Sequence, residues 1–204
     1  MDAGKIFVVS AHSGAGKSSL VEALLKNLKG LYSIGRVVTY TTRVQRLGDL
    51  CDGGYHFISE AEFARKAQEG FFLEWSGAYG NYYGSSAQIL EEVAGGYSRI
   101  LIVDIEGVKR LQNILPHEST IYIWIDIPSM DALVDRLTKR GAESEAQVAR
   151  RMARAVQEAE ELVLLPDLFQ YRLINDKFDV ALKHFEKIVR NELGDSKKSA
   201  QKKL

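Results

Sequence analysis

The sequence predicts an α/β fold in which a parallel five-stranded sheet is flanked by helices. Apolar runs rich in β-branched residues alternate with segments of helical periodicity, and the first run leads through a glycine-rich turn into a helical pattern. The predicted buried strands are Ile6–Ser10, Arg36–Thr39, Ile100–Ile105, Ile121–Ile127 and Tyr171–Ile174. The predicted helices cover residues 18–29, 60–69, 86–95, 107–114, 129–139, 145–163 and 178–192.

Length, composition and charge exclude several classes of protein. A chain of 204 residues with 46% hydrophobic and 26% charged residues can bury one principal core. The net charge of +0 gives no sign of a general nucleic-acid binder, and no apolar run is long enough to span a membrane. Cys51 cannot form an internal disulfide, which favours a reducing compartment. We therefore expect a cytoplasmic protein without nucleic-acid or membrane partners, either a monomer or a homo-oligomer.

The glycine-rich turn is the most informative motif. Ser10-Ala-His-Ser-Gly-Ala-Gly-Lys-Ser-Ser19 fits the phosphate-binding pattern G-x-x-x-x-G-K-[ST], except that Ala11 replaces the first glycine. Gly14 and Gly16 allow backbone N–H groups to point at an anion, and the N-terminus of the following helix adds its positive dipole. Lys17 can reach the β- and γ-phosphates, and the Ser18 hydroxyl can hold Mg²⁺. This P-loop predicts binding of a nucleoside triphosphate; the alternative is a helix-capping turn that binds nothing. The predicted ATP-binding residues of the loop are Ala11, His12, Ser13, Gly14, Ala15, Gly16, Lys17, Ser18 and Ser19.

Two segments interrupt the alternation of strands and helices. Residues 39–86 turn polar, aromatic and glycine-rich, which predicts an inserted mixed α/β subdomain, and residues 128–164 form two arginine-rich helices that predict a helical lid. The core then comprises residues of about 4–38, 87–127 and 165–193, and residues 195–204 form a basic tail. Helix N-caps are predicted at Ser59, Ser129 and Ser144.

Six motifs occur in order over about residues 4–193, and together they resemble the guanylate kinase family. After the P-loop come Thr41-Thr-Arg-Val-Gln-Arg46, Asp52-Gly-Gly-Tyr-His-Phe57, Phe72-Leu-Glu-Trp75, Gly80-Asn-Tyr-Tyr-Gly84 and Arg136-Leu-Thr-Lys-Arg-Gly141. The resemblance implies a P-loop kinase core, an inserted subdomain that binds a nucleoside monophosphate, and a helical lid.

The resemblance also implies roles for residues outside the loop. Arg43, Arg46, Tyr55 and Tyr83 correspond to the clamp on the acceptor phosphate, and guanidinium forks and phenol hydroxyls suit that anion. Glu74 corresponds to the base reader, because a carboxylate accepts from guanine N1–H and the 2-amino group. The other residues implied to bind GMP are Thr39, Glu74, Ser85, Asp104 and Glu106, of which all but Asp104 correspond to positions at the base. The arginines implied to contact the transferring phosphates are Arg136, Arg140 and Arg151, which join Lys17 and Arg43 as catalytic residues.

Asp104 ends an apolar strand in the place of a Walker B acid, and we expect it to hold Mg²⁺ through water together with Ser18. Asn175 corresponds to a family segment near the ATP adenine. The activity that the resemblance implies is transfer of the γ-phosphoryl group of Mg-ATP to GMP, giving ADP and GDP, in purine nucleotide metabolism. The alternatives are a non-catalytic binding domain of the same family and a P-loop kinase for another small phosphorylated acceptor.

Overall fold

The computed structural model of the chain describes residues 3–45, 54–78, 80–139 and 145–194. These residues fall into two compact units. The first unit comprises Met1–Val8 and Lys29–Thr120, and the second comprises Val9–Leu28 and Ile121–Leu204. The division therefore passes through the first strand of the chain.

Nine strands and seven α-helices lie within the described residues. The strands are β1 (Ile6–Ala11), β2 (Ile34–Arg36), β3 (Thr39–Thr41), β4 (Tyr55–Phe57), β5 (Phe72–Ala78), β6 (Asn81–Ser86), β7 (Ser98–Ile102), β8 (Thr120–Asp126) and β9 (Tyr171–Ile174). The helices are α1 (Lys17–Leu28), α2 (Glu60–Gln68), α3 (Ile89–Ala94), α4 (Ile105–Gln112), α5 (Met130–Lys139), α6 (Glu145–Leu164) and α7 (Phe178–Glu192). Short 3₁₀ turns cover His117–Ser119 and Pro166–Leu168.

The strands form two sheets. The parallel five-stranded sheet has the order β2-β7-β1-β8-β9 and is flanked by helices. The four-stranded sheet has the order β4-β3-β6-β5, in which β3 pairs in parallel with β4 and antiparallel with β6. All six residues of β1 are buried, as expected for a strand in the middle of a sheet covered on both faces.

The first unit packs its four-stranded sheet on an aromatic layer. Phe63 of α2 is buried and stacks on Phe72 and Tyr82, with ring centroids 4.6 and 5.4 Å away. The α2 helix begins where predicted, because the Ser59 hydroxyl accepts a hydrogen bond from the Glu62 amide at 3.1 Å. Since aromatic side chains cover one face of the sheet, the opposite face is left for polar side chains.

The second unit builds its core from β8 and the helices around it. Side chains of β8 from Ile121 to Ile125 are buried, together with Leu133 of α5 and Phe185 of α7. The α1 helix buries one face that includes Leu20, Leu24 and Leu28, a four-residue spacing that places them on the same side of the helix. Helix α7 packs against both α1 and β9.

The predicted fold class is confirmed, with local corrections. The apolar run Arg36–Thr39 was predicted as one strand, which is wrong: β2 ends at Arg36 and β3 begins at Thr39, in different sheets. The predicted strand Ile100–Ile105 ends earlier, at Ile102, because Asp104 caps a helix that begins at Ile105. Ser129 is a helix cap as predicted, its hydroxyl accepting from the Ala132 amide at 3.1 Å.

The predicted cap at Ser144 and the tail 195–204 lie outside the described residues. Among the helices that the structure describes, none is both long enough and apolar enough to cross a membrane.

Candidate active site

The phosphate loop of the second unit joins β1 to α1. Gly14 and Gly16 have φ angles of 96° and 91°, the left-handed region that glycine adopts without strain. The Ala15 amide donates to the His12 carbonyl at 3.0 Å, which closes the turn. Lys17 is the first residue of α1, and its ammonium donates to the Ala11 carbonyl at 2.5 Å. The loop thus presents a helix N-terminus and a lysine, which is the chemistry that binds a phosphate chain.

Asn175, which follows β9, packs against the phosphate loop. It is buried, and its side-chain amide donates to the Ala15 carbonyl at 2.7 Å. A Cβ atom at Gly16 would lie 2.6 Å from the Asn175 Nδ2 atom, so the close approach requires glycine there. Arg136 of α5 donates to the Asn175 carbonyl at 2.5 Å, which brings one of the predicted phosphate arginines to the same place.

Helix α6 reaches the loop from another direction. The Arg151 guanidinium donates to the Ser13 hydroxyl at 2.9 Å. Glu158 lies 3.0 Å from the His12 imidazole, and both side chains are buried. Of the predicted donor-site residues, Ser18 and Ser19 occupy the first turn of α1, while Arg140 lies outside the described residues. The structure therefore gathers the loop, Asn175 and two arginines in one unit.

In the first unit, four predicted acceptor-site residues form a row across the four-stranded sheet. Tyr55 on β4 is paired with Thr39 on β3, Thr39 with Ser85 on β6, and Ser85 with Glu74 on β5. Residues paired in this way project from the same face of a sheet. A second row two residues away contains Phe57, Thr41, Tyr83 and Ser76, and it lies on the same face. This face is opposite to the one covered by Phe63.

Glu74 is the buried acid of this face. Its side chain is 6% exposed, and its Oε1 atom accepts a hydrogen bond from the Ser85 hydroxyl at 3.0 Å. Burial, opposed by the Ser85 hydrogen bond and reinforced by the negative charge of Asp104, raises the pKa of Glu74 from 4.5 to about 7. A carboxylate in this position gains strongly from a ligand that supplies hydrogen-bond donors.

Asp104 lies next to Glu74 and caps α4. Its Oδ1 atom accepts from the Gly107 amide at 2.8 Å, and its Oδ2 atom accepts from the Ser76 hydroxyl at 3.1 Å. A Cβ atom at Gly107 would lie 3.2 Å from Glu74 Oε2 and 3.4 Å from Asp104 Oδ1, so both carboxylates crowd the start of the helix. Glu106 is placed differently: it is 44% exposed and forms an ion pair with Lys109 at 2.9 Å.

Arg43 follows β3 and lies against two aromatic rings. Its guanidinium carbon is 5.3 Å from the ring centroid of Tyr55 and 5.4 Å from that of Phe57. This contact brings Arg43 to the edge of the polar face beside Tyr55, whereas Arg46 lies outside the described residues. No cluster of three or more His, Cys, Asp or Glu side chains suited to a metal occurs within the described ranges.

Comparison with known proteins decides the family. The family model described as guanylate kinase matches residues 3–192. A guanylate kinase of Escherichia coli strain K12 is 39% identical over 193 residues, covering 94% of this chain and 90% of the relative. A guanylate kinase of Shewanella sp. strain MR-7 is 37% identical over 190 residues, covering 93% and 88%.

The chain belongs to the guanylate kinase family. The crystal structure of a guanylate kinase from Anaplasma phagocytophilum has the same fold, with a TM-score of 0.72 and 24% identity over 94% of this chain and 87% of that one. The predicted resemblance, the P-loop kinase fold and the enzyme class are therefore confirmed.

Several residues of this guanylate kinase family member contact the site without having been predicted. Ser76 and Gly107 fix the Asp104 carboxylate, and Arg110 of α4 donates to the Trp75 carbonyl and offsets a small part of the rise in the pKa of Glu74. Glu158 contacts the phosphate loop. None belongs to a short motif, and apart from the Gly107 contact with Asp104 these contacts join residues 28 to 146 positions apart in the chain. Only Gly107 could have been predicted from the sequence, because it directly follows the predicted site residues Asp104 and Glu106.

Proposed function

We propose that this enzyme transfers the γ-phosphoryl group of Mg-ATP to GMP, giving ADP and GDP. Membership of the guanylate kinase family supports a GMP kinase function. The observation that carries the proposal for this chain is the polar row Tyr55, Thr39, Ser85 and Glu74, because it combines a phenol, two hydroxyls and a carboxylate on one sheet face.

Glu74 would select guanine. An ionised carboxylate only accepts hydrogen bonds, and guanine offers donors at N1–H and at the 2-amino group. Adenine has an acceptor at N1 and no 2-amino group, so it would leave the buried carboxylate unpaired. An unpaired buried charged group costs at least about 1–3 kcal/mol, which is enough for strong discrimination. Ser85 holds one oxygen of Glu74, and this fixes the direction in which the carboxylate accepts.

Arg43, Tyr55 and Tyr83 would bind the acceptor phosphate. Arg43 is held beside the Tyr55 ring, and Tyr83 lies in the second row of the same face. A guanidinium and two phenol hydroxyls supply donors to a nearly dianionic group. We propose that Arg46, which follows Arg43 by three residues, completes this clamp.

Lys17, the loop amides, Arg136 and Arg151 would bind the ATP phosphates. They converge on one loop in the second unit, where Arg151 lies at Ser13 and Arg136 at Asn175. By its position in the sequence Arg140 belongs to the same set. Asn175 is expected near the adenine, and its own side-chain amide is used to hold the Ala15 carbonyl.

The side chains proposed for Mg²⁺ have suitable chemistry. Ser18 offers a hydroxyl in the first turn of α1, and each oxygen of Asp104 accepts one hydrogen bond and so keeps a lone pair. Hydroxyl and carboxylate oxygens, with water, are the ligands that Mg²⁺ prefers. When bound with ATP, the ion supplies positive charge that neutralises the phosphate oxygens during transfer.

The reaction needs no general base from the protein. The nucleophile is an oxygen of the GMP phosphate, which is ionised at neutral pH, and it forms the new bond to the γ-phosphorus as the bond to the ADP oxygen breaks. The contribution of the side chains is to orient both nucleotides and to stabilise charge on the transferred group. The cations named above match this requirement, because three or more anionic phosphates must be held together.

The test is a coupled ADP-release assay with Mg-ATP and each of GMP, AMP, CMP and UMP in parallel. Turnover confined to GMP is expected. Binding of GMP without turnover would favour a non-catalytic binding domain and contradict the proposal. Turnover with a different phosphorylated acceptor would assign the polar face to that compound instead.

A further inference from the structure

A buried hydrogen-bonded pair joins the phosphate loop to helix α6. His12 Nδ1 lies 3.0 Å from Glu158 Oε2, and the two residues are 2% and 3% exposed. Their positions differ by 146 in the chain, so this contact is a tertiary one. Burying a carboxylate and an imidazole is costly unless each has partners, and a retained pair of this kind fixes geometry more than it adds stability.

The surroundings of the pair restrict it from every side. His12 Nε2 is 3.9 Å from Asp126 Oδ1 at the end of β8, and the imidazole meets the Trp124 ring edge-on at 4.9 Å. The second oxygen of Glu158 lies 3.4 Å from the Arg154 Nε atom. The imidazole is therefore held by the hydrogen-bond contact of its Nδ1 atom with Glu158 and by the Trp124 ring, while Nε2 faces the Asp126 carboxylate.

The same helix carries Arg151 to the next residue of the loop. Arg151 precedes Glu158 by two helical turns, about 10 Å along the axis, and therefore lies on the same side of α6. Its guanidinium donates to the Ser13 hydroxyl at 2.9 Å. Glu158 and Arg151 of α6 thus contact two consecutive loop residues, His12 and Ser13. The buried Glu158 contact holds the side of α6 that carries Arg151 against the loop.

We propose that Glu158 is a positioning residue which, through His12, keeps α6 in register with the phosphate loop so that the Arg151 guanidinium stays at the donor phosphates. The inference rests on the proposed function, in which Arg151 binds those phosphates. A purely structural pair would affect only folding stability. A positioning pair affects phosphoryl transfer and donor binding in a protein that remains folded.

The test uses Glu158→Gln, His12→Asn and the double variant in the full chain, with Glu160→Gln as the matched control. Glu160 is on the same helix and exposed, so the control makes the same chemical change away from the loop. Three quantities are measured at a temperature where every variant is folded: kcat and KM for GMP at saturating Mg-ATP, the ADP dissociation constant by equilibrium titration, and thermal unfolding.

We expect Glu158→Gln and His12→Asn each to lower kcat about tenfold or more and to weaken ADP binding severalfold, with KM for GMP within about twofold of the parent. The double variant should resemble the more impaired single variant, since both changes remove the same pairing of the His12 imidazole with the Glu158 carboxylate. Glu160→Gln should match the parent protein.

A folded Glu158→Gln protein with unchanged kcat and ADP affinity would overturn the proposal, and so would fully additive effects in the double variant. If Glu158→Gln does not fold, His12→Asn gives the same comparison. If the parent protein does not phosphorylate GMP, the proposed function fails, while the ADP titration still decides whether Glu158 acts on the loop.

Discussion

Replacing Glu74 with Gln should stabilise the free enzyme at alkaline pH while it impairs GMP recognition. Burial raises the pKa of Glu74 from 4.5 to about 7, so below about pH 7 the folded protein favours the neutral form of this side chain over the carboxylate. A raised carboxyl pKa contributes stability below the unfolded value of 4.5, and this contribution is lost as pH rises through about 7. Above pH 7 the folded chain therefore carries the whole cost of an ionised carboxylate that is 6% exposed.

The size of the effect follows from the same pKa values. One pKa unit corresponds to about 1.4 kcal/mol, so the shift from 4.5 to about 7 amounts to an upper limit of roughly 3 kcal/mol. Glu74→Gln removes the charge and keeps a group that can hydrogen-bond with Ser85. We expect the free energy of unfolding of the variant to exceed that of the parent by up to about 3 kcal/mol at pH 8. At pH 4.5 the two proteins should be about equally stable.

The assay is denaturant unfolding of both proteins at several pH values between 4.5 and 8, without nucleotide. Glu160→Gln serves as the control, because it removes an exposed carboxylate and should show no comparable trend. A difference in the free energy of unfolding that is independent of pH, or that grows towards acid, would refute the reasoning.

Binding of GMP should depend on the same proton. Guanine donates two hydrogen bonds, so it binds the ionised form of Glu74 and must displace the proton below about pH 7. The affinity of the parent protein should fall towards acid, by up to about tenfold per pH unit, beyond the effect of the GMP phosphate itself. Titration of the GMP phosphate affects binding to the parent and to the Glu74→Gln variant alike. The ratio of the two dissociation constants therefore isolates the effect of the Glu74 carboxyl group. A ratio that does not change with pH would contradict the assignment of Glu74.

Two further substitutions, the first with a matched control, test the described geometry. Gly16→Ala should lower the free energy of unfolding by about 1–3 kcal/mol and weaken ADP binding, because it combines a φ of +91° with a Cβ atom 2.6 Å from Asn175 Nδ2. Gly30→Ala, at a φ of +78° with nothing within 4 Å, measures the backbone cost alone, and equal losses in thermal unfolding would contradict the clash. Tyr122→Phe should change the free energy of unfolding by less than about 1 kcal/mol, because the buried Tyr122 hydroxyl has no hydrogen-bond partner among the described residues. A larger loss in denaturant unfolding would reveal a bond to that hydroxyl.

The sequence was sufficient for features that depend on neighbouring residues. The phosphate loop, the Ser59 cap and the alternation of strands and helices are all encoded within a few positions, and the structure contains each of them. The sequence was insufficient where the pairing of strands determines the structure. The apolar run from Arg36 to Thr39 has nothing in its composition to show that it leaves one sheet and enters another. Asp104 was expected to end a strand, and only the position of Gly107 shows that it caps a helix.

The acceptor face shows the limit most directly. Its two rows depend on the register of three strand pairs and on an irregularity between Phe72 and Glu74 in β5. Shifting a strand by one residue would turn Glu74 to the aromatic side of the sheet, although the motif would be unchanged. The family resemblance could therefore name Glu74 and Ser85, while their hydrogen bond and the burial that raises the Glu74 pKa are properties of the fold.

Buried polar side chains mark the phosphate loop of one unit and the polar face of the other better than the half-buried arginines do. Among the described residues, all of the buried polar side chains except Ser98 and Thr120 belong to the phosphate loop and its supports or to the polar face of the four-stranded sheet. They are Ser10, His12, Glu158 and Asn175 in the first group and Thr39, Thr41, Glu74, Ser76 and Ser85 in the second. Each such group costs stability unless it is paired, so a chain retains them where geometry matters more than stability. This reasoning places Glu158, which no motif identified, in the same class as Glu74, and it predicts that apolar replacement of Glu158 should lower kcat even in protein that remains folded.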